Sequence, residues 1–267
     1  MRCFLKLLLL TALLASCKPQ TTTVQSSAPI LPAGSCTIGK WTGIGASALD
    51  LRVSTDFSAS DRTAIGLAAS EWNSAISGKT FFTSPMNTTG TNSFGSVAQF
   101  KDSVFGVYKS TNWFTDVSSS ALAITQFYGY VRSDGGLGTY IELTHADIIM
   151  NYRDYGTMLT SSTGSGLPYD IPTIVLHEMG HFLGLCHERN HTSIMQPYYN
   201  GTQRALLAYD KTKINDLYTN NTITPMLASA SVNAISAPAG TPIRGIIELR
   251  ANGKCIHYIN GKKVHEH

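Results

Sequence analysis

Residues 177–187 read His177-Glu178-Met179-Gly180-His181-Phe182-Leu183-Gly184-Leu185-Cys186-His187. Two histidines four residues apart share one face of a helix with about 6 Å of rise between them, so both imidazoles reach one ion. Gly184 lets the chain leave that helix in a backbone conformation other residues resist, and the turn swings His187 back as a third nitrogen. Three protein ligands leave a fourth position for water, which is the arrangement of a catalytic rather than a closed structural zinc. Glu178, beside the first ligand, is placed to accept a proton from a water acidified by the metal and to pass it to a departing group. Five fixed positions of these types coincide by chance in roughly one chain in 10⁵, so a histidine-rich helix end without metal is a poor account of the stretch. The other histidines, His145, His191, His257, His265 and His267, are scattered and are assigned to surface or local structure.

Upstream of the motif, Asp170 is a credible helix N-cap with Pro172 in the first turn. Further upstream, Leu51-Arg52-Val53-Ser54 alternates like a strand, and Ser58-Ala59-Ser60-Asp61 has a capping-box pattern. Ile65, Ala68, Ala69, Trp72 and Ile76 then recur at helical spacing, which predicts a helix with one buried stripe and makes Trp72 a core residue. Residues 83–120 are rich in Ser, Thr, Asn and Gly, and Val104–Val107 reads equally as strand or loop. Ala121–Thr125 and Tyr140–Asn151 read as strands joined through Asp134-Gly135-Gly136, a hairpin. Downstream, Asp210 with Ile214, Leu217 and Tyr218 signals a last helix. Beyond an Ala-, Ser-, Thr- and Pro-rich stretch, Ile243–Leu249, Cys255–Ile259 and Lys262–Val264 are separated by Asn252-Gly253 and Asn260-Gly261, the strongest short hairpin signal. No internal repeat at solenoid or propeller spacing is present.

The 177–187 stretch resembles the metzincin pattern His-Glu-x-x-His-x-x-Gly-x-x-His, and Ser193-Ile194-Met195-Gln196-Pro197-Tyr198-Tyr199 resembles its methionine turn. The short link from His187 to Met195 is similar to that of the matrixin subgroup rather than the astacins. Glu188 is astacin-like, but Pro197 stands where the astacin zinc-binding tyrosine would fall, so no tyrosine ligand is expected. The resemblance covers residues 38–220 and implies an α+β catalytic domain, with a twisted sheet carrying an antiparallel edge, three main helices and an active-site cleft. It implies a zinc-dependent endopeptidase acting on protein or peptide substrates, with His177, His181 and His187 on one catalytic Zn²⁺ and Glu178 as general base and acid. Met195 is then the floor beneath the zinc, and Pro197 and Tyr199 line the S1′ pocket. The loop 152–169 lacks the histidine and aspartate set that holds a second, structural zinc in vertebrate matrixins, and Ca²⁺ is left open. The non-enzyme rival is an adhesin or binding lipoprotein that keeps its metal for stability.

Bulk composition agrees with one enzyme-sized core: 267 residues, 43% hydrophobic, 14% charged, with 23 glycines. Arg2 and Lys6 precede the apolar run Leu7–Leu14, which is too short to span a bilayer and reads as a secretory leader over residues 1–16. Its removal leaves 20 − 2 = 18 basic residues against 17 acidic ones, a formal charge of 18 − 17 = +1, so nothing argues for a nucleic-acid partner. Leu14-Ala15-Ser16-Cys17 resembles the bacterial lipobox, which implies acyl chains on Cys17, a membrane anchor and an exported cell-envelope protein. Lys18 after that cysteine favours the outer membrane or cell surface over the inner membrane. Residues 17–35 read as a flexible tether with nothing that resembles the latency cysteine of matrixins, 36–220 as the catalytic domain, and 221–267 as a linker and small β-meander appendage. The expectation is a monomer. Of Cys36, Cys186 and Cys255, left in an oxidising setting, the preferred disulfide is Cys36 with Cys255, while a bridge through Cys186 stays open.

Overall fold

The computed structural model describes residues 38–44, 47–91, 94–222, 239–251 and 254–266. The expected leader, Cys17, the tether and Cys36 lie outside these residues. No helix among the described residues is long and apolar enough to cross a membrane.

The first long helix, α1 (Ala59–Asn73), starts where its sequence says, with Ser58 Oγ accepting the Asp61 N–H at 3.1 Å. Its buried stripe is Ala64, Ile65, Ala68, Ala69 and Trp72, while Ile76, past the helix end, joins the same core. That stripe packs on α3 (Ile171–Phe182), every residue of which is buried. Trp72 contributes more than apolar area: its indole Nε1–H donates to the Leu176 carbonyl at 2.9 Å, one residue before the first metal-site histidine. At the start of α3, Asp170 Oδ2 accepts the Thr173 N–H at 3.0 Å, the N-cap its position implies.

Both helices lie against one mixed nine-stranded sheet. Its parallel part consists of β2 (Leu51–Ser54), flanked by β3 (Thr88–Thr89) and β4 (Phe105–Ser110), with β4 running parallel to the far end of β6 (Gly138–Asn151). The short β1 (Gly39–Trp41) also runs parallel to β6, at Ile141–Leu143. β5 (Ala121–Asp134) turns back on β6 as a hairpin, closed by Asp134 Oδ1 accepting the Gly136 and Leu137 N–H groups. The ladder is longer than the alternation predicts. Two short elements, β7 (Leu159–Thr160) and β8 (Tyr169–Asp170), pair in parallel ahead of α3, following a single helical turn α2 (Tyr152–Tyr155). The last helix α4 (Ala208–Asn215) continues into a π-type turn over Asp216–Asn220.

Read as sequence, residues 221–267 are a linker and a small β-meander appendage. In the fold the strands within residues 242–266 are part of the main sheet. β9 (Pro242–Arg250) runs antiparallel along the outer edge of β5, from Ala121↔Arg250 to Tyr130↔Pro242. β10 (Cys255–Ile259) and β11 (Lys262–Glu266) extend the sheet further, so the order is β11-β10-β9-β5-β6-β4-β2-β3 with β1 beside β6. Asn260 (φ 48°) and Gly261 (φ 75°) take the two left-handed positions that a type I′ hairpin turn requires. The alternation of β9 explains the capture: Ile243, Ile247 and Leu249 face the α3 side with the main core, while Ile246 faces a second apolar cluster around Phe100, Trp113, Phe114 and Ile149. A strand apolar on both faces is stable only inside a sheet covered on both sides.

Candidate metal centre

α3 carries His177, Glu178 and His181, and the turn after it brings in His187. That turn depends on Gly184, at φ 93°, where an added Cβ would lie 2.0 Å from the Gly39 carbonyl oxygen. β1 and the π-type turn after α4 clamp the same turn: from β1, Gly39 N–H donates to Gly184 O at 3.0 Å and Trp41 Nε1–H to Phe182 O at 2.7 Å, and from the π-type turn Tyr218 O–H donates to Leu183 O at 2.8 Å. Gly180 is equally constrained, since a Cβ there would meet Met195 Sδ at 2.2 Å. Met195 therefore lies directly against the helix that carries the ligands.

The three imidazoles converge. Their Nε2 atoms stand 2.9 Å (His181 and His187), 3.1 Å (His177 and His181) and 3.4 Å (His177 and His187) apart. A tetrahedral zinc with Zn–N bonds of about 2.0–2.1 Å separates its nitrogens by about 3.3 Å, so the spacing fits one ion. The opposite ring nitrogens are engaged: His177 Nδ1 with Ile194 O at 2.7 Å and His181 Nδ1 with Leu185 O at 2.9 Å. Donation from Nδ1–H to a carbonyl leaves the Nε2 lone pair free and aims it. Burial pushes the His177 pKa down to about 4 and holds His181 and His187 well below the ordinary imidazole value, an effect the neighbouring histidines reinforce. The rings are neutral, which is the ligating form.

Glu178 is fully buried beside them. Desolvation raises its pKa to about 8 in the absence of a cation, against the opposing hydrogen bond from Thr125 on β5. Thr125 Oγ1–H reaches Glu178 Oε2 at 2.5 Å, and Oε1 has no partner among the described residues. A carboxylate anchored by one oxygen with the other unsatisfied is an acid–base group aimed into its site.

The methionine turn is fixed by Asp210, which the sequence marks only as a helix start. Its actual place is the third residue of α4, where it accepts the Leu207 N–H at 2.8 Å. The same carboxylate accepts the Ser193 hydroxyl and the Ile194 N–H, and Ser193 Oγ in turn accepts the Met195 N–H at 2.9 Å. Beyond the turn a pocket opens, lined by Thr173, His177, Ile194, Tyr198, Tyr199 and Leu249, among others. Tyr199 is held by its hydroxyl accepting the Asp170 N–H at 2.9 Å. Pro197 is not among the lining residues.

Three residues at the centre carry no local sequence signal. Thr125 is one, and Cys255 and His257 of β10 are the others. His257 is buried, with Nε2 3.0 Å from His187 Nδ1, which corrects its assignment to surface or local structure. His145 is also buried, bound to Asp147 Oδ2 at 2.7 Å and Phe100 O at 3.0 Å, whereas His191 stacks on Tyr209 at the surface. Cys255 is a free, fully buried thiol and Cys186 is disulfide-bonded, so the expected Cys36–Cys255 bridge is corrected at its Cys255 end. The reason is topological: β10 is drawn in beside the imidazoles by β9 and cannot serve as an outlying clasp.

The family model for matrixins matches residues 101–219, from the strand before β5 to the end of the last helix. Karilysin of Tannerella forsythia is 32% identical over 114 aligned residues, covering 36% of this chain and 24% of that protein. Residues 101–219 are therefore similar to a matrixin-type metzincin domain. The α+β arrangement, with α1 and α3 on a sheet with an antiparallel edge and α4 as the third main helix, agrees with that family. The matrixin match ends before β9, so the strands that bring Cys255 and His257 to the centre lie outside it. The match also spans only about a quarter of the relative's length.

Proposed function

We propose that the chain is a zinc-dependent endopeptidase. The reading is carried by one observation: three neutral imidazole nitrogens converge on a point beside the half-satisfied carboxylate of Glu178. A zinc ion held by His177, His181 and His187 supplies Lewis-acid polarisation of a peptide carbonyl and acidifies a water toward neutrality. Glu178 takes the proton at its unpartnered Oε1, while Thr125 holds Oε2 and keeps the carboxylate from rotating away. The same oxygen then delivers the proton to the departing amine. Burial keeps water other than the reacting one away and strengthens each of these interactions. The pocket bearing Tyr199 and Tyr198 accepts the side chain following the cleaved bond, with the Asp170 N–H fixing the Tyr199 ring. The sequence supports placing this enzyme at the bacterial envelope, tethered through lipid on Cys17, and a Cys17→Ala protein that stays in the membrane fraction would count against that anchor.

Glu178→Gln is expected to keep zinc while lowering cleavage of an unstructured protein by about 10²–10⁴-fold, the usual contribution of a general base. A variant with near wild-type cleavage would sink the mechanism. The rival, a non-catalytic metal-containing binding lipoprotein, draws support from Cys255, because a complete set of protein donors is typical of structural zinc. Chelator-sensitive cleavage separates the two.

A further inference from the structure

Cys255, His257 and Leu249, all from β9 and β10, stand at the metal centre without a part in the reaction just described. The ligand atoms of His177, His181, His187 and Cys255 all lie within 4.8 Å of one another. We propose that Cys255 Sγ is a fourth protein donor to the metal, and that β9 and β10 lie across the path an extended substrate must take, so that the folded chain holds its own site shut. This rests on the zinc-peptidase reading.

The placement follows from sheet geometry. Cys255 and His257 are two residues apart on β10, so they share one face, and the pairings Cys255↔Leu249↔Ala123 and His257↔Ile247↔Thr125 align that face with the Glu178-binding residue of β5. His257 locks the register by meeting His187 Nδ1 at 3.0 Å. The thiol is not a disulfide half, and a buried cysteine that served only as apolar filler would have no reason to face three imidazoles and a carboxylate.

The second part concerns access. An extended peptide is recruited to an exposed strand edge by main-chain hydrogen bonds, and the edge nearest Glu178 is that of β5. β9 pairs along that edge from Ala121 to Tyr130. Leu249 of β9 also lines the Tyr199 pocket, where an incoming side chain would sit. The strand is firmly held: buried Glu248 accepts the Ser118 N–H at 3.0 Å and pairs with Arg250 at 2.6 Å. Gly245 leaves room for the Phe127 ring, which a Cβ would strike at 1.9 Å.

Closure involves no electron transfer. The Cys255 S–H proton passes to solvent as the sulfur–metal bond forms and the water at that position leaves. Opening reverses both events, with water re-entering and the thiol recovering a proton.

The test uses the full chain loaded with cobalt(II) or zinc. Wild-type protein is expected to bind one ion and show a near-ultraviolet sulfur-to-cobalt charge-transfer band, and its zinc form a sulfur shell at about 2.3 Å by X-ray absorption. Cys255→Ala and Cys255→Ser should still bind one ion without band or sulfur shell, and when Cys255→Ala is combined with Glu248→Ala, which removes the acceptor tying β9 to Ser118, cleavage of an unstructured protein should rise about ten-fold or more, as when a competent fraction of a tenth or less is released. Wild-type protein that binds the ion without a sulfur signature, or binds none, overturns the proposal, as does unchanged cleavage in variants that have lost the signature but remain active. A sulfur signature lost in folded variants that cleave nothing would retain Cys255 as ligand and overturn its inhibitory role. In that case the peptidase reading is tested separately, by comparing Cys255→Ala with Cys255→Ala/Glu178→Gln for chelator-sensitive turnover.

Discussion

Two segments meet at the metal centre, and they are built by opposite rules. Residues 171–187 make their part of it from local chemistry: the Asp170 cap, the helical repeat that sets His177 over His181, and the Gly184 turn that returns His187. Residues 242–259 contribute Leu249, Cys255 and His257 only because β9 finds the edge of β5, more than a hundred residues earlier in the chain. A ligand set by helical spacing tolerates change elsewhere in the fold, whereas one set by strand register moves to the opposite face if the pairing slips by a single residue.

The contrast is broken most severely at Gly184. Gly184→Ala combines a left-handed backbone with a collision on Gly39 O, and should cost about 4 kcal/mol of stability from strain and overpacking together. Chemical denaturation measures it, and a loss below about 1 kcal/mol would show that the turn relaxes freely. Asp210→Ala comes next, at about 3 kcal/mol, because it leaves the Ser193 hydroxyl and the Ile194 and Leu207 N–H groups without their buried acceptor. Metal affinity should fall with it, since Ile194 also supplies the carbonyl that orients His177.

A third prediction isolates Glu178 in metal-free protein. Its carboxyl titrates near 4.5 when unfolded and about 8 when folded, because burial disfavours the charge. The folded state thus holds a proton that the unfolded state has lost between those values, and the group's contribution to stability declines as pH rises through that window. Metal-free Glu178→Gln should match wild type below about pH 4.5 and exceed it increasingly up to about pH 8. Parallel denaturation curves with no pH-dependent gap would place the carboxylate in a wetter setting. The smallest effect belongs to Gly245→Ala, at about 1 kcal/mol, since the Phe127 ring it strikes is able to shift. Amide exchange should show β9 protected to the same degree as β5. Strands that exchange independently would return residues 242–266 to the status of an appendage.

How much was legible follows the same division. The cap at Ser58, the Trp72 stripe, the Asp170 cap and the three-histidine pattern each sit within one turn or one helix, and each was readable from spacing. The hairpin of β5 and β6 was readable in outline because its turn lies between its strands. β4 was not, because Phe105–Ser110 gains its strand character from parallel neighbours far away in the chain. Thr125 was invisible for a related reason: one threonine in an apolar strand looks like any other until α3 lies across it. The sequence around Asp210 signals the helix it enters, while the methionine turn it supports lies 16 to 17 residues away and leaves no local mark. Cysteine counting points Cys255 toward a disulfide because it says nothing of which strand lies beside which.

The clamp between β1 and the Gly184 turn also has a mechanical meaning. A pull on the chain ahead of Gly39 would load the Ile38–Ile141 hydrogen bond to β6 and then the Gly39–Gly184 and Trp41–Phe182 ones, and the last two end on the segment between the second and third histidines. Three residues of β1 form the rest of the attachment to the sheet. Tension arriving from the amino-terminal side is thereby shared between the sheet and the turn that presents the third histidine.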